Sequence, residues 1–188
     1  MQKMLNILRA SSIEDLKDIK FLQSQNHKSI LSAVEKSTQG FLTAQYSIDF
    51  LKIMHDAEPA VIARDMEGNL AGYVLASPKS VRGIHSLLDE LFTTADNLTF
   101  NGKKLEAVNY VLVGQLCVAK QFRGQGLVPK MYDFFKKELS LKYDCSITDV
   151  DTQNPRSLKA HLNSGYSVLT TLEYGNITWN VVIQNWKL

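Results

Sequence analysis

A short loop at residues 121–126 has the sequence Gln-Phe-Arg-Gly-Gln-Gly, which combines two glycines with an arginine. Glycine lets a backbone pass close to a ligand and form turns that a Cβ atom would forbid. An amphipathic stretch follows the loop directly, and the free N–H groups at the start of a helix suit an anion. Residues 120–142 hold six Lys or Arg and two acidic residues. We therefore expect the N–H groups of residues 125–128 to converge on a phosphate group at a locally basic surface.

Two common phosphate-binding loops match this segment poorly. A dinucleotide-binding loop needs Gly-x-Gly-x-x-Gly directly after the first strand of its domain. Here the third glycine position holds Pro129, and the preceding strand comes late in the chain. A P-loop needs Gly-Lys followed by Ser or Thr at the helix start, whereas Leu127 follows Gly126. The loop therefore belongs to neither of these two patterns.

A second segment places polar side chains along one face of a helix. This helix opens with Asn-Pro and closes before a glycine, which are the residues preferred at those positions. Asn154, Ser157 and His161 are spaced by three and four residues, so they share a face. A histidine with a pKa of ~6.5 can act as an acid or a base near neutral pH. Leu158 and Leu162 occupy a neighbouring face and are predicted to lie in the core.

The elements that must position these two segments alternate between strands and helices. The predicted elements are a strand at 5–8, irregular helical patterning over 12–55 with breaks near 25–26 and 38–40, a hairpin at 59–76, a strand at 110–118, a helix at 127–139, a strand at 146–150, the helix from 154 to 165, and strands at 167–172 and 177–183. Residues 79–105 are polar, with one helical stretch at 84–91, and are interpreted as an insertion. The order indicates an α/β fold with a mixed central sheet of six to seven strands flanked by helices.

Length and composition favour a single globular domain over residues 1–188. The chain has 188 residues, of which 45% are hydrophobic and 21% charged, and a formal net charge of +2. These values exclude disordered, collagen-like and disulfide-scaffold proteins, and the charge argues against a nucleic-acid partner. No signal-peptide pattern or transmembrane-length apolar run is present in the sequence, so a cytoplasmic protein without a membrane partner is expected. Cys117 and Cys145 lie in predicted strands and are interpreted as buried apolar residues rather than a disulfide or a nucleophile.

The two segments together resemble the signatures of the GCN5-related N-acetyltransferases (GNAT superfamily). The first is Gln-x-x-Gly-x-Gly after a strand that ends in Leu-Cys-Val, and the second runs from Asn154 to Tyr166. The resemblance covers residues 110–166 firmly and implies a sheet splayed at strand 110–118, with the pantetheine arm of acetyl-CoA in the gap and its pyrophosphate on the loop. The cofactor-binding residues that it implies are Leu116, Cys117, Val118, Gln121, Arg123, Gly124, Gln125, Gly126, Leu127, Asn154 and Ser157.

The resemblance also implies a reaction, in which an acetyl group moves from acetyl-CoA to an amine by direct attack. Two positions depart from the family pattern: His161 occupies the place of the usual tyrosine acid, and Gly114 occupies the place of a frequent glutamate base. His161 is then a candidate acid or base. Asp149 and Asp151, at the end of the next strand, are the nearest acidic residues and the candidate bases. The identity of the base stays open at this point.

Several alternatives stay open as well. With both usual proton-transfer residues replaced, the chain fits a non-catalytic acetyl-CoA-binding sensor as the main alternative. Room beside Cys117 and Gly114 would admit a longer acyl group, and a hydroxyl acceptor is a further option. The acceptor is an amine on a small molecule, peptide or protein, and the resemblance implies that residues 79–105 and the helices of 12–55 build its site, as loops on a rigid scaffold often do. No metal site is expected, and the protein is expected to be a monomer or a homodimer.

Overall fold

The computed structural model describes residues 4–188, which form helices around a central sheet. The helices in this range are α1 (Ile13–Ser24), α2 (Ala33–Gln39), α3 (Ile48–Ala57), α4 (Ser86–Asn97), α5 (Leu127–Leu139) and α6 (Pro155–Leu162). The strands are β1 (Leu5–Arg9), β2 (Val61–Asp65), β3 (Leu70–Pro78), β4 (Thr99–Phe100), β5 (Lys103–Lys104), β6 (Tyr110–Val118), β7 (Cys145–Asp151), β8 (Ser167–Tyr174) and β9 (Ile177–Asn185).

Seven of these strands form one sheet, in the order β1-β2-β3-β6-β7-β9-β8, and β4 pairs with β5 separately. The β6–β7 pair is parallel, and the other neighbouring pairs of this sheet are antiparallel. A parallel pair needs a crossover connection, which α5 supplies. The prediction of a mixed α/β fold with six to seven strands and flanking helices is confirmed.

Helix α5 holds the glycine-containing loop at the end of β6. Its bounds agree with the prediction, and one face of it is buried through Leu127, Met131, Tyr132, Phe135 and Leu139. Met131 fits against Gly72 of β3, where an added Cβ would come within 3.2 Å of its Cε atom. Because α5 is fixed against the sheet in this way, the loop that precedes it is fixed as well.

The sheet opens between β6 and β7. Their pairing covers three positions at the start of the strands, from Tyr110–Cys145 to Leu112–Ile147. One further contact follows, in which the Thr148 hydroxyl donates to the carbonyl oxygen of Val113 at 2.8 Å. Beyond this point the two strands are no longer paired, so the expected splay of strand 110–118 is confirmed.

A β-bulge lies on the other side of β6 at the same level. Leu75 of β3 faces Gln115, but the next residue, Ala76, faces Val113. Gly114 is therefore the extra residue of a bulge, an irregularity that bends a strand and increases its twist. The bulge and the splay together turn the second half of β6 away from β7.

The range 79–105 contains a helix, α4, that is longer than the sequence indicates. The predicted stretch was 84–91, whereas α4 runs to Asn97 and buries Leu88, Leu91, Phe92 and Ala95. Its last turn is anchored by Asp96, which accepts hydrogen bonds from Arg82 at 2.6 Å and from the Tyr110 hydroxyl at 2.7 Å. A helix with a buried face and such an anchor is part of the core. That this region is an insertion stays a prediction.

The predictions for the N-terminal helical region and for α6 can also be compared with the structure. The patterning over residues 12–55 resolves into α1, α2 and α3, with residues 40–47 outside any helix. The predicted core position of Leu162 is wrong, because its side chain is 42% exposed while His161 is 3% exposed. Within residues 4–188, no helix is long and apolar enough to span a membrane.

Candidate functional site

A groove of about 510 Å³ runs along the end of β6, the loop before α5, and the side of α6. It brings together nine of the eleven predicted cofactor-binding residues. These nine are Leu116, Cys117, Val118, Arg123, Gly124, Gly126, Leu127, Asn154 and Ser157. The other two, Gln121 and Gln125, lie outside the lining, and the Gln125 side chain donates to the Gln121 carbonyl at 2.9 Å.

The loop presents the start of α5 to this groove. Gly124 and Gly126 have φ angles of +72° and +70°, which is the left-handed region that glycine enters without a steric penalty. Gly126 is the N-cap residue, and no side chain caps the helix. The first N–H groups of a helix have no partner within it, so those of Leu127 and Val128 are available to a ligand. Pro129, next in the chain, has no N–H group to offer.

The charge of the groove is positive. Arg123, Arg156 and Lys159 line it, and no Asp or Glu is found among the described lining residues. Positive side chains beside a helix N-terminus favour phosphate groups. The groove therefore combines an apolar floor with a basic rim suited to a phosphate-bearing ligand.

Arg123 holds the groove together by bonds within the protein. Its guanidinium donates to the Val118 carbonyl at 3.0 Å, the Gln39 carbonyl at 3.2 Å and the Asn26 side-chain oxygen at 2.5 Å. Burial lowers the pKa of this guanidinium. It thus fixes the loop to the segment around α2, and it offers the groove a positive charge from an already bonded position.

Asn154 has two structural tasks at the other wall. Its Oδ1 atom accepts the Ser157 N–H at 3.3 Å, which caps α6. Its Nδ2 atom donates to the Phe41 carbonyl at 2.9 Å, which ties the segment after α2 to α6. The predicted cap is confirmed, and a contact of Asn154 with a cofactor stays a prediction.

A second, smaller cavity of about 80 Å³ adjoins the groove inside the splay. Phe41, Leu42, Leu116, Asn154 and Ser157 line both spaces. The three predicted catalytic candidates also line the second cavity, namely His161, Asp149 and Asp151. We call this space the acceptor cavity, after the role proposed for it below.

Asp149 is a cavity carboxylate whose pKa lies above the usual range of an aspartate. Its carboxylate is partly buried, and it accepts a hydrogen bond from the Tyr174 hydroxyl. Burial raises the pKa of Asp149 to about 6, although the Tyr174 bond lowers it, and the nearby charges of Asp151 and Glu90 raise it further. At neutral pH the group is therefore mostly ionised, yet more basic than an ordinary aspartate.

Asp151 serves the turn into α6. One of its carboxylate oxygens accepts the Gln153 N–H at 2.8 Å, and its carbonyl accepts the N–H of Asn154 at 2.8 Å. A carboxylate held in a local turn is a frequent structural feature of aspartate. Of the two candidate bases, Asp149 is therefore the better placed.

His161 does not titrate in the neutral range, so the expectation of a pKa near 6.5 is wrong. The ring is packed against Tyr132 and Tyr166, with ring centroids 5.5 and 5.4 Å away, and burial lowers its pKa to about 4. Its Nδ1 atom lies 2.8 Å from the Ser157 carbonyl oxygen. Because a carbonyl can only accept, the neutral ring carries its proton at Nδ1, and Nε2 has no proton to donate to a leaving group.

The structure explains why glycine occupies position 114. A Cβ atom there would lie 2.4 Å from the Ser77 Oγ atom and 3.0 Å from the Met54 Cε atom, and the Tyr46 hydroxyl donates to the Gly114 carbonyl at 2.9 Å. A glutamate at this position would therefore require its neighbours to shift. Gly114 also lines the acceptor cavity, so a longer acyl group stays an open alternative. Burial raises the pKa of Cys117 to about 12, so its thiol is protonated and not a nucleophile.

Sequence reasoning missed an aromatic pair beside the acceptor cavity, of which Trp179 lines the cavity. Tyr174 stacks on Trp179, with ring centroids 5.4 Å apart and an interplanar angle of 15°, and the Trp179 indole donates to the Tyr174 carbonyl at 3.1 Å. Asp149 lies on β7 and Tyr174 on β8, and the two side chains meet across β9, which lies between these strands in the sheet. No local pattern links residues 25 positions apart, so only the topology reveals this pair. No cluster of three or more metal-ligating side chains occurs among residues 4–188.

This seven-stranded mixed sheet, opened between two parallel strands beside a glycine-containing loop, is the fold of the GNAT acetyltransferases. A GNAT-family acetyltransferase from Streptococcus agalactiae is similar at a TM-score of 0.67 and 14% identity, with 98% of this chain and 96% of that chain covered. A chain of the NatC complex bound to Gag peptide and CoA is similar at a TM-score of 0.65 and 16% identity, covering 97% and 99%.

A third similar structure is the phosphinothricin acetyltransferase from Sinorhizobium meliloti in complex with acetyl-CoA. Its TM-score is 0.61 at 17% identity, and 100% of this chain and 90% of that chain are covered. No protein-family model matches the sequence, and no curated protein matches it by sequence. The comparisons therefore establish the fold.

Proposed function

We propose that this protein is an acetyl-CoA-dependent N-acetyltransferase that acetylates an amine by direct attack. The observation that carries the proposal is that the basic groove and the acidic acceptor cavity adjoin and share lining residues. A basic groove at a helix N-terminus leads directly into a cavity that contains Asp149, a carboxylate of raised pKa. Among the proteins of similar fold, the chains named above are acetyltransferases or contain CoA or acetyl-CoA.

The residues present fit acetyl-CoA, which supplies an activated acetyl group as a thioester. The loop of Gly124 and Gly126 would hold the pyrophosphate through the N–H groups at the start of α5. Arg156 and Lys159 on the groove wall would attract the remaining phosphate charge. The edge of β6 around Leu116, which β7 does not pair, would bind the amide-containing arm in the splay, beside the Val118 carbonyl that accepts from Arg123. These assignments rest on the shape and charge of the groove.

Asp149 is proposed to remove a proton from the acceptor amine. An alkylammonium group with a pKa of ~10.4 is neutral in only about one molecule in 2500 at pH 7, which corresponds to ~4.6 kcal/mol. A base that lies in the cavity and takes the proton during attack lowers this cost. His161 is not assigned as the acid, since its neutral ring holds its proton toward Ser157. The leaving thiol, with a pKa near ~8.5, can depart as the thiolate.

The alternative is a protein that binds acetyl-CoA without turnover. Its support is that His161 and Gly114 replace the tyrosine and glutamate of the family pattern. The presence of Asp149 in the acceptor cavity favours the enzyme, because a sensor has no need of a partly buried carboxylate of raised pKa beside the groove.

The test is a calorimetric titration with acetyl-CoA, followed on the same sample by thiol release in the presence of primary amines. We expect binding and amine-dependent release of free CoA. Binding with no release by any amine would favour the sensor. Absence of binding would overturn the assignment of the groove, and with it the proposed function.

A further inference from the structure

The acceptor cavity is lined by apolar, uncharged polar and acidic side chains, and no Lys or Arg is present among the described lining residues. Its charged members are Asp149 and Asp151, and His161 is neutral because burial lowers its pKa to about 4. The apolar members include residues of α4, of the segment after α2 and of β9. These are Phe41, Leu42, Leu87, Leu88, Leu91 and Trp179.

The neighbourhood of the cavity adds further negative charge. Glu90, on the exposed side of α4, reaches the turn between β8 and β9, where its Oε2 atom would lie 3.3 Å from a Cβ at Gly175. Asp149 is thus faced by the carboxylates of Asp151 and Glu90 and by the Tyr174 hydroxyl. The positive side chains of this region, Arg156 and Lys159, line the groove and not the cavity.

We propose that the acceptor is a primary alkyl- or arylalkyl-ammonium ion that carries no carboxylate or phosphate beside its amine. The ammonium end would enter the cavity toward Asp149, and the carbon chain would pack along Leu87, Leu91 and Trp179. This inference rests on the proposed function, and it narrows the acceptor from any amine to one charge class and one kind of carbon skeleton.

The size of the cavity supports an acceptor that enters amine first. Its volume is about 80 Å³, compared with about 150 Å³ for an engineered apolar cavity that binds benzene. The enclosed part therefore accepts the amine and the first carbon atoms, while the rest of the chain lies toward the rim. A carboxylate on the carbon that bears the amine would be brought beside Asp149 without a counter-charge, and like charges at such a site repel.

Thiol release with three acceptors of one skeleton tests the charge rule. Phenethylamine lacks the carboxylate, L-phenylalanine has it, and L-phenylalaninamide has an uncharged group of the same size. We expect kcat/KM for phenethylamine to exceed that for phenylalanine at least about 100-fold, with the amide closer to the amine. Phenylalanine within about tenfold of phenethylamine would overturn the inference, as would an amide as poor as the acid, which would show that size decides.

A charge-supplying variant tests the same rule from the protein side. Leu87→Arg places a cation on the cavity wall, and we expect it to narrow the preference for phenethylamine over phenylalanine about tenfold. Thr93→Arg, at an exposed position of the same helix, is the matched control and should leave the ratio unchanged. An unchanged ratio in Leu87→Arg, with acetyl-CoA affinity intact, contradicts the inference.

Titration with acetyl-CoA distinguishes a failure of the acceptor class from a failure of the proposed function. If acetyl-CoA binds but neither phenethylamine nor butylamine causes thiol release, the acceptor class is wrong and the groove assignment stands. If acetyl-CoA does not bind, the proposed function fails, and the acceptor class fails with it.

Discussion

The groove and the acceptor cavity meet at the splay of one sheet, but they differ in charge and in the way they are assembled. The groove is basic and takes much of its lining from the end of β6, the following loop and α6. The cavity has acidic side chains and no Lys or Arg among its described lining, and its walls come from the segment after α2, α4, β6, β7, α6 and β9. A site made from local segments depends on a few neighbouring residues, whereas a site made from distant segments depends on the topology. Substitutions should therefore separate ligand affinity in the groove from turnover in the cavity.

The largest expected effect is on the cavity side. Asp149→Asn removes the proposed base, and we expect kcat to fall by about 10²–10⁴-fold. The affinity for acetyl-CoA in calorimetry should change less than about threefold, because Asp149 does not line the groove. Asp151→Asn is the matched control and should lose far less activity. A larger loss in Asp151→Asn than in Asp149→Asn would reassign the base.

A reciprocal substitution addresses the groove. Gly126→Glu puts a carboxylate at the start of α5, and we expect the Kd for acetyl-CoA to rise about 100-fold, or ~2.7 kcal/mol. No atom lies within 4 Å of an added Cβ there, but φ is +70°, so any side chain introduces strain. Gly126→Gln shares that strain without the charge and should lose much less affinity. Equal affinities of the two variants, or an unchanged Kd, would speak against a phosphate at this loop.

Arg123 tests whether the groove needs its internal bonds. Arg123→Met removes four hydrogen bonds and a charge, and we expect acetyl-CoA to bind about tenfold more weakly and the protein to lose ~2 kcal/mol of stability. Arg156→Met removes a groove-wall charge and one exposed bond to the Thr38 carbonyl, so it should weaken acetyl-CoA binding with little loss of stability. Calorimetry and thermal unfolding measure the two quantities. Full stability in Arg123→Met would mean that these bonds do not hold the loop.

The smallest expected effect is a shift of a pH profile. The pKa of Asp149 is raised to about 6, so kcat/KM should fall as the pH decreases through about 6 and the carboxylate becomes protonated. Tyr174→Phe removes a hydrogen bond that lowers this pKa, so the acidic limb should move up by about one unit, with a loss of about threefold at pH 6.5 and little at pH 9.

Tyr143→Phe provides the control for that shift. Tyr143 donates to a buried carboxylate, that of Glu58, at 3.0 Å, and neither residue lines the groove or the cavity. Its removal should leave the profile in place. A limb that stays near pH 6 in Tyr174→Phe would show that Asp149 is not the group that titrates.

The sequence reveals much of the groove because its signals are local. The loop at residues 121–126, the amphipathic pattern of α5 and the Asn-Pro start of α6 each lie within a few positions of one another, so their types and spacing predict the elements that they form. The sequence does not show why position 114 holds glycine, because the atoms that an added Cβ would meet belong to Ser77 and Met54. Such contacts join residues about 40 or more positions apart.

The sequence predicts less of the cavity, because the cavity depends on contacts between residues that are distant in the chain. Asp149 was identified as an acid at a strand end, but its partner Tyr174 lies across β9 in the sheet. His161 was expected to titrate near neutrality, since a lone helical histidine gives no sign that Tyr132 and Tyr166 will enclose it. The sequence predicts too short a helix for α4. The residues that cover its buried face come from other parts of the chain, so the local pattern does not show where the helix ends.

The three residue pairs that join β6 to β7 have a consequence for how long the folded protein lasts in a cell. They connect two half-sheets, β1-β2-β3-β6 and β7-β9-β8, across a seam that is open over the rest of its length. On the proposed function, acetyl-CoA binds within this seam, and at 100 times its Kd a ligand adds about 2.7 kcal/mol to the free energy of unfolding. Proteolysis that proceeds through opened states would slow accordingly. The abundance of the protein would then follow the supply of its own acetyl donor.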